Sequence, residues 1–293
     1  MYPWKDYGGR TSPLKLAVFV ALFGPAAWVV LSLALGWLEP RPYTAAIREI
    51  GLWTIRLIFL ALAVTPLRQV LQWPKLIEVR RMIGVAACAY ALCHLTLYTA
   101  DMMFDLARVA REIVLRIYLT IGFAAVLGLA AMAATSTDGM VRRLGPRKWQ
   151  RLHRLVYLIA LLAVVHFCMQ SKLDLWEPTI MAGLYAWLMG YRLLTARWLQ
   201  ARLPWRIAVR GRLPFLWVGA LGIAAALLTA LGEAAYFAFA YHAGPGRVIA
   251  ANWSLTLGLR PAAAVFGIAA AVLAAGALRS GIGLLARRRP HFA

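Results

Sequence analysis

Carboxylates are scarce in this sequence: eleven Asp and Glu stand against 32 Lys and Arg in 293 residues, a formal net charge of +21. Charge of either sign is also sparse, at 15% of residues against 62% hydrophobic, where soluble domains carry about a quarter charged. Only three cysteines occur, Cys88, Cys93 and Cys168, all inside apolar runs and with no CxxC pair. That spacing argues against a disulfide framework and against a Cys-rich metal site. No strand–GxGxxG–helix unit is present for a dinucleotide, and no polar loop is long enough to form a soluble reductase domain. There is no low-complexity tract and no internal repeat of the kind that transporter halves show.

What is present is apolar length. A membrane helix needs about 20 mostly apolar residues. Eight stretches qualify: Leu14–Leu38, Ala45–Thr65, Met82–Ala100, Val114–Ala134, Leu152–Met169, Pro178–Thr195, Leu213–Tyr241 and Leu255–Leu278. The expected fold is therefore all-α, a polytopic membrane helix bundle. Its first apolar stretch is longer than a signal-peptide core and reads as a membrane anchor. Pro25 is expected to kink that first helix.

In such a chain, basic residues report topology rather than nucleic-acid binding, because Lys and Arg stay on the cytoplasmic side. One alternating set of loops holds 23 of the 32 Lys and Arg, with runs such as Arg142, Arg143, Arg147, Lys148, Arg151 and Arg154. The opposite loops hold eight, and Arg56 lies within the second span. Both termini are expected in the cytoplasm. The basic, Pro-containing connection Ala196–Pro214 suggests a boundary, giving a six-helix unit (1–202) and a two-helix membrane extension (203–293).

Five histidines occur. His242 and His291 fall in a loop and in the tail. His94 and His166 lie toward the outer ends of the third and fifth spans, which run the same way. Singly, each reads as a core histidine bonded to a carbonyl. Together, at matched depth, they read as ligands to one planar cofactor. Zinc would need three or four Cys, His or carboxylate ligands, and no such cluster accompanies them. Haem iron accepts two axial imidazoles, and nearby small residues (Gly84, Ala87, Ala91, Gly122 and Ala125 among them) would allow its close approach.

His153 lies 13 residues before His166 and so roughly 20 Å lower along the helix, but it is turned away from the same face unless the helix bends. A second haem on His153 is one reading; an interfacial contact with a phospholipid, a propionate or a carbonyl is the other. Arg80, on nearly the same helical face as His94 and fourteen residues below it, and its neighbour Arg81 are candidates for the propionates or for the second level. Arg56 is an intramembrane arginine, a site hypothesis by default, suited to a propionate, a flavin phosphate or a quinone carbonyl.

The strings "TPLRQ", "RRMIGVAACAYALCHLTLY" and "TSTDGMVRRLGPRKWQRLHRLVYLIALLAVVHF" resemble the MsrQ family. These are haem-binding membrane subunits of the periplasmic methionine sulfoxide reductase system, within the ferric-reductase-like transmembrane group. The likeness covers roughly Gly36 to Trp198. It implies a bacterial inner membrane and haem b, with His94 and His166 matching the family's ligand histidines and His153 its third. It further implies electrons drawn from the quinone pool, or from a cytosolic flavin reductase with FMN, and passed to a periplasmic molybdopterin-dependent methionine sulfoxide reductase. The family core has six helices, so the last pair here is an addition. A ferric-reductase-like cytochrome serving another acceptor, or a secondary transporter, are the competing readings.

Overall fold

The structure is a computed structural model and describes residues 2–5, 8–171, 174–201, 213–254, 256 and 258–287. The helices in chain order are α1 (Pro13–Ala21), α2 (Gly24–Ala34), α3 (Pro42–Val70), α4 (Arg80–Asp101), α5 (Leu106–Leu115), α6 (Ile117–Ala134), α7 (Asp138–Leu144) and α8 (Pro146–His153). They continue with α9 (Leu155–Gln170), α10 (Trp176–Thr195), α11 (Arg197–Gln200), α12 (Phe215–Tyr241), α13 (Pro245–Asn252) and α14 (Pro261–Arg287). There is no strand among the described residues beyond a single Lys5–Thr11 bridge. Seven segments are long and apolar enough to cross a membrane, and the protein is a multi-pass, all-α membrane protein.

All eight expected segments are helical, but α10 is not among those seven. Glu177 and Arg192 lower its hydropathy, and it buries Pro178, Ile180, Trp187, Leu188 and Tyr191 in protein. Two expected starts move inward. The fourth span begins after Arg116, which is extended. The last begins at Pro261, with Leu255 and Leu257 outside the described residues.

The chain divides into two packing units: residues 1–62 with 77–170, and residues 63–76 with 171–293. The division expected at 202/203 abuts residues 202–212, which lie outside the described residues. In the second of these units α10 buries its inner face with α12 and α14.

Within the first unit, Pro25 has no N–H to donate, and the first span is interrupted at Leu22–Phe23. Tyr90 of α4 fills the gap. Its hydroxyl donates to the Leu22 carbonyl (2.7 Å) and accepts from the Ala26 N–H (3.0 Å). It thus stands between the two groups that an unbroken helix would pair directly. Lys15 of α1 is held by Glu78 (3.7 Å) and by the Lys5 carbonyl (3.0 Å), and Arg81 pairs with Asp138 at the start of α7.

Within the second unit, α10, α12 and α14 pack through small residues: a Cβ on Gly222 would lie 2.5 Å from the Ala269 Cβ. Glu233, only 4% exposed, accepts from Asn252 Nδ2 (2.6 Å) and Arg260 Nη2 (2.9 Å). Asn252 Oδ1 in turn accepts the Ala262 N–H (3.0 Å), one of the donors that a helix start leaves without an intrahelical partner. A buried carboxylate is tolerable only when its oxygens are met in this way.

Candidate functional site

Four helices of the first unit bring His94 and His166 together. His94, on α4, lies against α3. Its Nδ1 contacts the Ile47 carbonyl at 2.8 Å, and a Cβ on Gly51 would fall 3.0 Å from its ring. His166, on α9, lies against α6 in the same way. Its Nδ1 contacts the Tyr118 carbonyl at 2.7 Å, and a Cβ on Gly122 would fall 2.7 Å from that nitrogen.

The two arrangements share one pattern. A carbonyl at position i anchors the ring, and a glycine at i+4, one turn on and on the same face, leaves space for it. A carbonyl can only accept, so Nδ1 of each ring carries the proton. In the neutral imidazole, Nε2 then keeps its lone pair. Second-shell anchoring of this kind fixes both tautomer and ring orientation at metal sites.

The two rings face each other with centroids 6.4 Å apart and planes at 87°. A metal about 2 Å from one nitrogen of each ring, with about 1.1 Å from nitrogen to centroid on each side, would put the centroids about 6 Å apart. The pair therefore fits one metal held axially between two imidazoles. No group of three or more His, Cys, Asp or Glu poised for a metal occurs among the described residues. Two imidazoles would leave the other positions of a metal to be filled from outside the chain, and a haem macrocycle would fill them. Each histidine is carbonyl-bonded through Nδ1, as a core histidine would be, and the two rings also lie next to one another.

The other expected site residues are more dispersed. His153 ends α8, just before the turn at Arg154. Its ring stacks on Trp149 (centroids 3.9 Å apart, planes at 24°). Its Nδ1 meets the Trp149 carbonyl (3.1 Å) and its Nε2 the Ser136 hydroxyl (3.3 Å), so both nitrogens are engaged within the chain. Arg81 is engaged by Asp138, whose carboxyl is held below the usual carboxylate range by that hydrogen bond and by the guanidinium's charge. Arg80 opens α4 and is half-buried. The Arg56 guanidinium lies over the Trp53 ring, 5.0 Å from its centroid, a cation–π contact that lowers the cost of an intramembrane charge.

Of the small residues expected to permit the approach of haem, Gly122 lies against the His166 ring, while Gly84 has nothing within 4 Å of its Cβ position. Gly51 and the carbonyls of Ile47 and Tyr118 were not among the expected site residues. An isolated glycine inside an apolar span was the available signal at 51. His242 caps α12 in the left-handed region (φ 53°), and His291 lies outside the described residues. The three cysteines are free.

Long apolar helices that gather around two facing imidazoles define a multi-pass membrane protein of the ferric-reductase-like kind, and residues 50–164 match the family model described as a ferric reductase like transmembrane component. Among individual relatives, the protein-methionine-sulfoxide reductase heme-binding subunit MsrQ of Rhodospirillum rubrum is 42% identical over 183 residues, 62% of this chain and 88% of that protein. The MsrQ subunit of Xanthomonas campestris pv. campestris is 43% identical over 198 residues (64% and 90%), and that of Caulobacter vibrioides 38% over 181 (61% and 86%). The chain belongs to the MsrQ family. No solved structure matches it.

Proposed function

We propose that the chain is a transmembrane b-type cytochrome and the electron-transfer subunit of a methionine sulfoxide reductase system, with His94 and His166 as the axial ligands of one haem. The observation that carries this reading is the facing pair of imidazoles 6.4 Å apart, each anchored through Nδ1. The names of the relatives, heme-binding subunits of a protein-methionine-sulfoxide reductase, support it. When bound, the haem supplies a one-electron carrier. The protein contributes fixed tautomers through the Ile47 and Tyr118 carbonyls. Arg56 and Arg80 are the residues proposed to balance the propionates.

Of the two haem counts left open by the sequence, the geometry favours one. A second haem on His153 would have to displace Ser136 or the Trp149 carbonyl from the ring. Electrons are proposed to enter from quinol or from a cytosolic flavin reductase with FMN, and to leave to a periplasmic molybdenum-dependent methionine sulfoxide reductase.

The test is the reduced-minus-oxidised spectrum of the purified protein. It should show a low-spin, six-coordinate b-type haem that is lost in His94→Ala and His166→Ala and kept in His242→Ala. A colourless protein from haem-replete cells would overturn the cytochrome. A haem that the co-expressed molybdenum enzyme fails to reoxidise would overturn only the acceptor.

A further inference from the structure

The basic end of the α8–α9 segment has a feature that the haem does not use. On α8, Trp149, Leu152 and His153 are half-buried, whereas Arg147, Gln150, Arg151 and Arg154 are exposed. Those four residues are spaced i, i+3, i+4 and i+7, so they share one helical face, and they line a pocket of about 200 Å³. None of Arg147, Arg151 and Arg154 has an ion pair or hydrogen bond through its side chain among the described residues. Three guanidinium groups around one concavity repel one another unless an anion joins them.

The same face continues along the helix that follows. Leu155, Leu158 and Leu161 are 43%, 53% and 40% exposed. From 151 to 161 the spacing stays in register with the arginines (151, 154/155, 158, 161). Cations at the rim of the span therefore pass directly into exposed leucines within it. An amphiphile with a phosphate at one end and an acyl chain at the other fits that sequence of surfaces.

We propose that Arg147, Arg151 and Arg154 form a phosphate-binding site for an anionic phospholipid whose acyl chain lies over Leu155, Leu158 and Leu161. Guanidinium groups bind phosphate oxygens in pairs, and the bound lipid would brace α8 on the side opposite the Trp149–His153 stack. The ligand chemistry is that of a phosphate ester. Its source is a membrane lipid rather than a free phosphate because the exposed Leu155, Leu158 and Leu161 continue the same helical face.

The experiment uses full-length protein in nanodiscs of equal phosphatidylglycerol and phosphatidylcholine, with retained lipid counted by native mass spectrometry after extraction. Phosphatidylglycerol should be retained at least tenfold over phosphatidylcholine. Each Arg→Gln substitution at 147, 151 or 154 should weaken retention about fivefold, and Lys148→Gln, off the pocket, should leave it unchanged. Equal retention of the two lipids by the wild-type protein would overturn the proposal without depending on how any variant folds. Displacement of phosphatidylglycerol by millimolar inorganic phosphate or FMN would show a site for free phosphate and overturn the lipid assignment. Retention by Arg147→Gln/Arg151→Gln/Arg154→Gln equal to that of the wild type would place the lipid elsewhere.

Discussion

Gly122 is the only residue type that leaves room for His166 where it stands: a Cβ there would lie 2.7 Å from Nδ1 and 2.8 Å from Cε1. The imidazole is held from behind by the Tyr118 carbonyl, so it cannot retreat without losing that bond. Gly122→Ala should therefore push the ring toward His94 or off its carbonyl, at a cost of about 1–3 kcal/mol for overpacking. The haem-to-protein ratio of the purified variant should fall. Gly51→Ala, facing His94 at 3.0 Å, should show the same defect more mildly. Full haem occupancy with an unshifted spectrum in Gly122→Ala would show that the ring does not sit where it is described.

The 87° angle between the two imidazole planes predicts a spectroscopic signature. Were both imidazoles to hold the proposed haem, perpendicular ring planes would leave the iron d orbitals nearly degenerate. The ferric protein should then give a strongly anisotropic low-spin EPR signal with one high g value, not the rhombic pattern of parallel planes. A rhombic spectrum would mean that the carbonyl anchors at Ile47 and Tyr118 do not set the ring orientation.

Most of the fold was legible because apolar length is a strong signal, and Pro25 marked the break in the first span correctly. What fills that break was not legible. Tyr90 lies 68 and 64 residues from its two partners, and no local pattern announces a contact of that separation. The histidine pair was legible from depth and helix direction. Its glycine cradle was only half so, because Gly51 is an ordinary glycine until the helix opposite is placed. The packing of α10 was not legible for a similar reason: Trp187 and Tyr191 are buried in protein, and no local pattern says which helices cover them.

Tyr90→Phe should cost about 1–3 kcal/mol, the penalty for leaving buried backbone groups without a partner. Both the Leu22 carbonyl and the Ala26 N–H lose their hydroxyl. The change should appear as an earlier thermal transition and faster proteolysis near residue 22. The haem spectrum of the folded protein should be unaltered, although Tyr90 is one turn from His94.

The Arg81–Asp138 pair carries a pH dependence of definite sign. Asp138 has a folded-state pKa below its ordinary value, so its stabilising contribution is present above the ordinary carboxylate pKa and is lost as pH falls through the depressed one. Both side chains are largely exposed, so solvent screening holds the contribution to about 1 kcal/mol or less. Protection factors across residues 138–144, with the intrinsic pH dependence of amide exchange divided out, should fall on acidification below the ordinary carboxylate range. Asp138→Asn should remove that response and give fast exchange at neutral pH as well.

Glu233→Ala should destabilise the second unit by about 3–5 kcal/mol, since it strips a buried carboxylate from Arg260 and Asn252. Every residue of the histidine site lies at or before Gln170. The variant should consequently lose cohesion among α12, α13 and α14, measured by limited proteolysis of the C-terminal region, while keeping its haem-to-protein ratio. Parallel loss of haem would tie the two units energetically.

Both imidazoles are anchored by main-chain oxygens, and this decides where variation can do harm. No side-chain replacement at 47 or 118 can delete a carbonyl, so these positions are free to drift among residues that keep the helix intact. Fragility is concentrated instead in the two glycines, where the smallest possible enlargement is already too much. In a saturation library selected for function, 51 and 122 should stand out as nearly immutable beside permissive neighbours one turn away, a contrast that no inspection of side-chain contacts alone would foresee.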